Sequence, residues 1–343
     1  MPEDTKRYTR ISRDRGPSVV CLGGGTGLST LLRGLKRVTQ DITAIVTVAD
    51  DGGGSGVLRD ELGMPPPGDI RNCMQALSNA EPTMEQLMAY RFQSGSLTGQ
   101  SFGNLFLAAM NGISESFDKA VIRMGEVLSI TGRILPVTIE DVHLWAEFED
   151  GGMVVGESKI ANAKEEHRSR IRRVTLTPSH AKVLPECLEA IQRADMIILG
   201  PGSLYTSIIP NLLIVGIVEA ISSSDAVKLY VCNIMTQPGE TDGYTVSEHI
   251  QGVFEHAGGK LFERCVVNSE PASPGVLERY IKGGAEPVRE DDGAVRKLGV
   301  ELIRAPVAAG NNDLARHDPD KLARELLRIF HEKAPTRTYR SNS

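Results

Sequence analysis

The sequence of 343 residues holds no run of eighteen or more apolar residues, so it contains no segment that reads as a membrane-spanning helix. The first seventeen residues do not read as a signal-peptide core. Met1 to Pro17 is polar and arginine-rich and reads as a disordered arm, and residues 334–343 read as a frayed tail. The five cysteines (Cys21, Cys73, Cys187, Cys232 and Cys265) form no CxxC pair, which fits buried thiols in a reducing cytoplasm. The seven histidines show no HExxH or similar spacing, so no metal is assigned from spacing. Aromatic residues make up only 5%, with Trp145 as the single tryptophan, expected in packing or a partner contact. A basic excess is absent as well. The net charge of -6 argues against non-specific nucleic-acid binding and leaves room for a local anion site.

What is present is glycine, placed after apolar runs. Ser18 to Leu22 reads as a strand, Gly23 to Gly27 as a tight turn, and Leu28 to Val38 as a helix with Leu28, Leu31, Leu32 and Leu35 on one face. A glycine turn that opens a helix presents amide N–H groups to an anion, which makes Gly24, Gly25, Thr26 and Gly27 candidate phosphate contacts. The run fits the dinucleotide fingerprint incompletely, because Leu28 holds the place of its third glycine, and no Lys-Ser/Thr pair makes it a P-loop. A nicotinamide dinucleotide with Asp50 on its ribose is therefore a minor reading.

A second strand, Ile42 to Val48, runs into Ala49-Asp50-Asp51-Gly52-Gly53-Gly54-Ser55-Gly56. Parallel strands deliver ligand-binding loops at their carboxyl ends, so Asp50, Asp51, Gly53 and Ser55 are candidates there. Pro65 to Gly68 is a stiff turn, and Asp69 is expected to cap a helix over Ile70 to Ser78. Arg71 and Asn72 fall in its first turn. An arginine there opposes the helix dipole, so it is expected to meet a bound anion or one of Asp50, Asp51 and Asp60. Arg59 and Arg71 together can absorb the charge of the acidic pair. On this reading Ala49 to Gly56 is the flexible floor of a nucleotide site.

Helical patterns cover Met84–Phe92, Phe102–Ile113 and Phe117–Leu128, with Ser94 to Ser101 as a mobile loop. Strands follow at Ile134–Ile139, His143–Phe148, Met153–Gly156 and Arg172–Leu176, with a hairpin turn at Glu149 to Gly152. His167 is expected in solvent. The strand Asp195–Leu199 leads into a second glycine turn, Gly200 to Ser207. Its amides, at Gly200 and Gly202, and its Ser203, Thr206 and Ser207 hydroxyls are placed to hold an anion. After the strand Val227–Cys232 comes a long polar loop, Asn233 to Tyr244, suited to recognising a base, sugar or amide. Arg316 precedes the C-terminal helix at 320–330, where it could meet a phosphate, and Pro306 to Asp313 is a loop.

The alternation gives an α/β class: a Rossmann-like, doubly wound and mainly parallel sheet with a helical insertion and a small β-rich lobe. One domain over 18–333 is expected, with the inserted lobe at about 84–176.

Five ordered segments then carry a family resemblance: Gly-Gly-Gly-Thr-Gly at 23–27, Ala-Asp-Asp-Gly-Gly-Gly-Ser-Gly at 49–56, Pro-Pro-Gly-Asp-Ile-Arg-Asn at 66–72, Gly-Pro-Gly-Ser-Leu-Tyr-Thr-Ser at 200–207 and Thr-Gln-Pro-Gly-Glu-Thr-Asp-Gly-Tyr at 236–244. The chain resembles the bacterial gluconeogenesis-factor family, itself related to the 2-phospho-L-lactate transferases of deazaflavin coenzyme synthesis. The resemblance implies a cytoplasmic, Rossmann-like regulatory factor. It would bind a UDP-sugar such as UDP-N-acetylglucosamine and act in cell shape and wall synthesis on gluconeogenic carbon sources. Thr236, Gln237 and Asp242 would contact uridine or sugar, Tyr280 would stack on uracil, and Arg316 would pair with the pyrophosphate. A homodimer and a cell-wall synthesis protein as partner remain open. The alternative is an enzyme moving a phosphorylated small acid from a nucleotide diphosphate carrier to a hydroxyl, with Asp50 or Asp51 orienting the acceptor or holding Mg²⁺ beside a phosphate. An acidic cap for neighbouring arginines is the rival role for that pair.

Overall fold

A computed structural model describes residues 16–160, 162–163, 169–309 and 315–333. The arm before residue 16, His167, part of the 306–313 loop and the tail from 334 lie outside the described residues. Seven strands form the main sheet: β1 (Val19–Gly23), β2 (Ile42–Val46), β3 (Arg133–Pro136), β7 (Met196–Leu199), β8 (Val227–Val231), β9 (Arg264–Asn268) and β10 (Glu301–Ala305). Their order is β10-β9-β8-β7-β1-β2-β3, and every neighbouring pair is parallel. Three more strands, β4 (His143–Phe148), β5 (Met153–Val155) and β6 (Ile171–Thr177), make a small antiparallel sheet with β4 in the middle. The α/β, Rossmann-like architecture expected from the sequence is the one observed.

The reason for the parallel sheet is visible strand by strand. β1, β2 and β7 are buried at every residue, as near-continuous apolar runs covered by helices on both faces must be. The helix Gly25–Leu35 turns Leu28, Leu31, Leu32 and Leu35 inward, each at most 1% exposed. Around that buried stripe pack the helices Gly68–Leu77 and Pro319–Lys333. Leu144, Ala146, Phe148, Val174 and Leu176 of the small sheet join the same hydrophobic core as the main sheet. All five cysteines are free and buried.

Several boundaries differ from the sequence reading. β3, read as part of the insertion, is the edge strand of the main sheet, beside β2. The helices between 82 and 127 are thus the crossover from β2 to β3, and the small sheet is a separate excursion before β7. The run Gly53–Leu62 is a helix, where a flexible glycine loop was expected. Periodicity misses it because glycine propensity is outweighed by tertiary packing: Ser55, Leu58 and Arg59 are all buried. Asp69 lies in the first turn of its helix, while Pro67 holds the N-cap position. No helix among the described residues is long and apolar enough to cross a membrane.

Gly34 marks where the C-terminal helix docks. A β-carbon there would fall 1.9 Å from the carbonyl oxygen of Pro319. Gly34→Ala should therefore lower stability by about 1–3 kcal/mol despite the better helix propensity of alanine, because backbone on both sides must part. Urea denaturation tests this. A midpoint equal to or above that of the parent would show that the two helices separate freely.

Candidate functional site

The strand order reverses at β1, whose two neighbours are β2 and β7. Ligands of open α/β sheets bind outside the carboxyl ends of strands at such a point. A cavity of about 700 Å³ opens there. The turn after β1 supplies Gly24, Gly25, Thr26 and Gly27, and the turn after β7 supplies Pro201, Gly202, Ser203 and Ser207. The loop after β8 adds Asn233, Thr236 and Gln237, while Arg279, Tyr280, Arg316 and His317 close the rim.

The two glycine turns touch. A β-carbon on Gly27 would lie 2.4 Å from the carbonyl oxygen of Pro201, so only glycine lets the first helical turn approach this backbone. Asn233 locks the second turn by donating from Nδ2 to the Gly202 carbonyl (2.8 Å) and accepting the Gly202 N–H (3.2 Å). Asn211 donates to the carbonyls of Gly23 (3.1 Å) and Ser207 (2.8 Å) and ties the turns together from below. At the mouth of the helix Gly25–Leu35, the first-turn amides have no intrahelical acceptor and Thr26 is exposed to the cavity.

Other expected contacts lie elsewhere. None of Ala49–Gly56 lines the cavity. Asp51 accepts the Ser158 N–H (2.8 Å) and so holds the short helix Glu157–Ile160. Asp50 accepts the Gly52 N–H (2.8 Å) and bonds Ser55, which is buried beneath Gly68. Gly53 starts its helix at a positive φ, and a β-carbon there would meet nothing within 4 Å. Arg59 is drawn to Asp141 and the Val142 carbonyl instead of the acidic pair. Arg71 bonds two neutral amides, Asn104 (3.2 Å) and Gln75 (2.8 Å), and Asn72 is half-buried on the same helix. Gly200 packs against Ile208 and Val231. Asp242 accepts the Gly239 N–H (2.7 Å) inside its own turn and does not line the cavity. Thr236 does line the cavity, but its hydroxyl already accepts the Glu286 N–H (3.0 Å).

Thr206 is the clearest correction. It is 3% exposed and donates to Glu240 Oε1 (3.1 Å), so its hydroxyl is not offered to a ligand. The amides of Tyr205 and Thr206 also bond the Glu240 carboxyl. Residues Leu204–Ile208 form a single π-helical turn, and its start is filled by this internal acid. Gln237 bridges from Glu240 to the cavity: its Nε2 donates to Glu240, and its Oε1 accepts from Ser203 Oγ (2.6 Å).

Further acids collect beside the first turn. Asp69 accepts the Gly25 N–H, and its carboxyl is pushed up to about 6 by desolvation and by Asp50. Glu157 is pushed up to about 8, first by desolvation and then by Asp50, Glu240, Asp69 and Asp51. Desolvation also raises Asp50. Among the described residues no group of three or more His, Cys, Asp or Glu is arranged to hold a metal ion. His317 is 8% exposed and its Nε2 has no partner, while its ring bonds the Cys232 backbone. Burial pushes it down to about 4, which keeps the imidazole neutral at pH 7. Sequence reasoning missed Asn233, Glu157, Glu240 and His317 as site residues, and it gave Asp69 only a capping role. A polar loop after a strand is the one signal that pointed toward Asn233 and Glu240.

Along residues 19–308 the chain matches the family model of the 2-phospho-L-lactate transferase CofD. The gluconeogenesis factor of Bacillus subtilis is 49% identical over 317 residues, covering 92% of this chain and 99% of that protein. The gluconeogenesis factor of Halalkalibacterium halodurans is 50% identical over 311 residues, covering 90% and 95%. A crystal structure of a UPF0052 family member from Bacillus halodurans aligns with a TM-score of 0.87 at 48% identity, covering 91% of this chain and 99% of that one.

Glu157 makes the acid cluster measurable. Folded, it keeps its proton to about pH 8, whereas its ordinary value is 4.5. The folded state thus binds more protons than the unfolded one between these values, and stability falls as pH rises through that window. Asp69 and Glu240 act in the same direction. Glu157→Gln should be more stable than the parent at pH 8 and lose part of the slope between pH 5 and pH 8. Urea denaturation at both pH values reads this, and identical slopes in the two proteins would refute it.

Proposed function

The chain belongs to the 2-phospho-L-lactate transferase CofD family, among relatives named gluconeogenesis factors, and on that premise we propose that it binds a nucleotide sugar of the UDP-N-acetylglucosamine type. The observation that carries this reading is the cavity at the reversal of strand order, ringed by a helix mouth, a polar loop, an aromatic ring and two arginines. The diphosphate would lie on the Thr26 and Gly27 amides, where helix-end N–H groups favour negative charge. Arg316 is exposed at the rim and has the length and forked geometry to meet the same phosphates. Tyr280, half-buried on the helix Pro274–Lys282, offers a ring face to the base. Gln237 and the neutral His317 supply hydrogen bonding for uracil or sugar. The biological role that fits this reading is a cytoplasmic regulatory factor of cell shape and wall synthesis during gluconeogenic growth, acting through a protein partner.

A second reading has one observation in its favour. Asp69 sits against Gly25 at the phosphate end of the cavity and titrates at about 6. That suits a general base toward an acceptor hydroxyl, in the transfer of a phosphorylated small acid from a nucleotide diphosphate carrier. Incubation with such donors and hydroxyl acceptors, watched for nucleotide release, separates the two. Tight binding without release supports the regulatory role.

Calorimetry with UDP-N-acetylglucosamine, other UDP-sugars and GDP is the primary test. Arg316→Ala should weaken UDP-N-acetylglucosamine binding roughly tenfold or more, since a charge-assisted bond is lost. Tyr280→Ala should weaken it roughly tenfold through lost stacking. Asp51→Asn, which changes a helix tether outside the cavity, should leave affinity within a few-fold. Absence of heat with every nucleotide sugar would sink the reading.

A further inference from the structure

Glu240 stands out among the groups that the binding reading does not use. It is 3% exposed, and it lies at the centre of a network that reaches the cavity. One carboxyl oxygen accepts from Thr206 Oγ1 and from Gln237 Nε2. The carboxyl also takes the amides of Tyr205 and Thr206, the donors that the glycine turn after β7 would otherwise direct at an anion. Its other oxygen, Oε2, is buried without a hydrogen-bond partner. Gln237 passes the arrangement on to Ser203, and both line the cavity.

Two consequences follow from charge and geometry alone. The second glycine turn carries its own anion, so a ligand phosphate beside Ser203 meets a buried negative charge. The first turn differs in which donors stay open: Asp69 takes the Gly25 amide there, while the Thr26 and Gly27 amides face the cavity at an electropositive helix mouth. Moreover, Gln237 is fixed in one orientation: its Nε2 faces Glu240, and its Oε1 faces Ser203.

We propose that Glu240 is a positioning and specificity residue of this cavity: it fixes Gln237 and Ser203, and its charge keeps ligand phosphates off the second glycine turn and on the first. This rests on the nucleotide-sugar reading and adds the group that orients the ligand. It assigns a direction to the bound molecule, with the diphosphate toward Gly25–Leu35 and a neutral part toward Ser203 and Gln237. It also makes phosphate binding sensitive to protonation. Burial pushes the Glu240 carboxyl up to about 7 against the hydrogen bonds that hold it down. Tyr205 and Glu157 are the titratable groups that face it, and Asp69 and Asp50 act on Glu157 in turn.

The test is isothermal titration calorimetry with UDP-N-acetylglucosamine and with uridine, at pH 6 and pH 8, on the full chain and on Glu240→Gln. Both phosphates of the nucleotide sugar are diesters, so the ligand keeps its charge across this range. The substitution keeps an acceptor for Thr206 and places its NH₂ where Oε2 has no partner. At pH 8 the variant should bind the nucleotide sugar roughly tenfold more tightly than the parent, because the like charge behind Gln237 and Ser203 is removed. At pH 6, where the parent's carboxyl is protonated, the two affinities should converge. Uridine should bind both proteins alike at both pH values. Glu157 and Asp69 titrate in both proteins, and Glu240 itself raises Glu157, so the two proteins are also compared in a Glu157→Gln background.

A ratio that stays the same at pH 6 and pH 8, or weaker binding by the variant at pH 8, overturns the proposal. If the variant does not fold by circular dichroism, the Glu157→Gln chain, which keeps Glu240 and lacks the acid that titrates at about 8, decides. Its nucleotide-sugar affinity must tighten from pH 8 to pH 6 while its uridine affinity does not, and equal tightening of both ligands overturns it. Failure of the parent to bind any nucleotide sugar instead removes the reading on which this rests.

Discussion

The contact between Gly27 and the Pro201 carbonyl is the constraint on which the rest of the site depends. Two strands, β1 and β7, lie side by side, and the connections that leave them run to opposite flanks of the sheet. The crevice between those connections stays open only if the turns are thin. Glycine at 27 lets helix and turn meet backbone to backbone, and Asn211 and Asn233 then hold the pair with buried hydrogen bonds. Side chains from later loops need only roof the space. This explains how residues more than two hundred positions apart, Thr26 and Tyr280 among them, come to face one cavity.

Around that cavity charge is divided unevenly. Carboxyls lie on the inner side: Asp69 at the Gly25 amide, and Glu240 at the π-helical turn. Arginines at 279 and 316 stand on the outer rim. The cavity is thus positive at its rim and helix mouth and acidic on its inner side. The internal acids occupy amides that glycine-rich turns usually present to phosphate. The raised pKa values of Asp69, Glu157 and Glu240 share one cause, desolvation, to which mutual repulsion adds for Asp69 and Glu157. The geometry divides these acids by what they hold. Asp50 and Asp51 serve backbone amides at Gly52 and Ser158, while Asp69 is the acid that reaches the first glycine turn.

The sequence by itself determined the class of fold and the turns between which the cavity opens. Buried parallel strands are continuous apolar runs, and glycine after such a run is a local feature that one strand's worth of residues reveals. Gly24 to Gly27, Gly202, Ser203, Gln237, Tyr280 and Arg316, all candidates in the sequence, line one cavity. Only the tertiary structure decided how each polar group is used. Asp51, Thr206 and Asp242 look equally available in sequence, yet each is already bonded to Ser158, Glu240 or Gly239. The helix Gly53–Leu62, the edge position of β3 and the burial of Glu240 were hidden in the same way. Hydrogen-bond partners and desolvation are set by residues distant in the chain, and no local spacing encodes them.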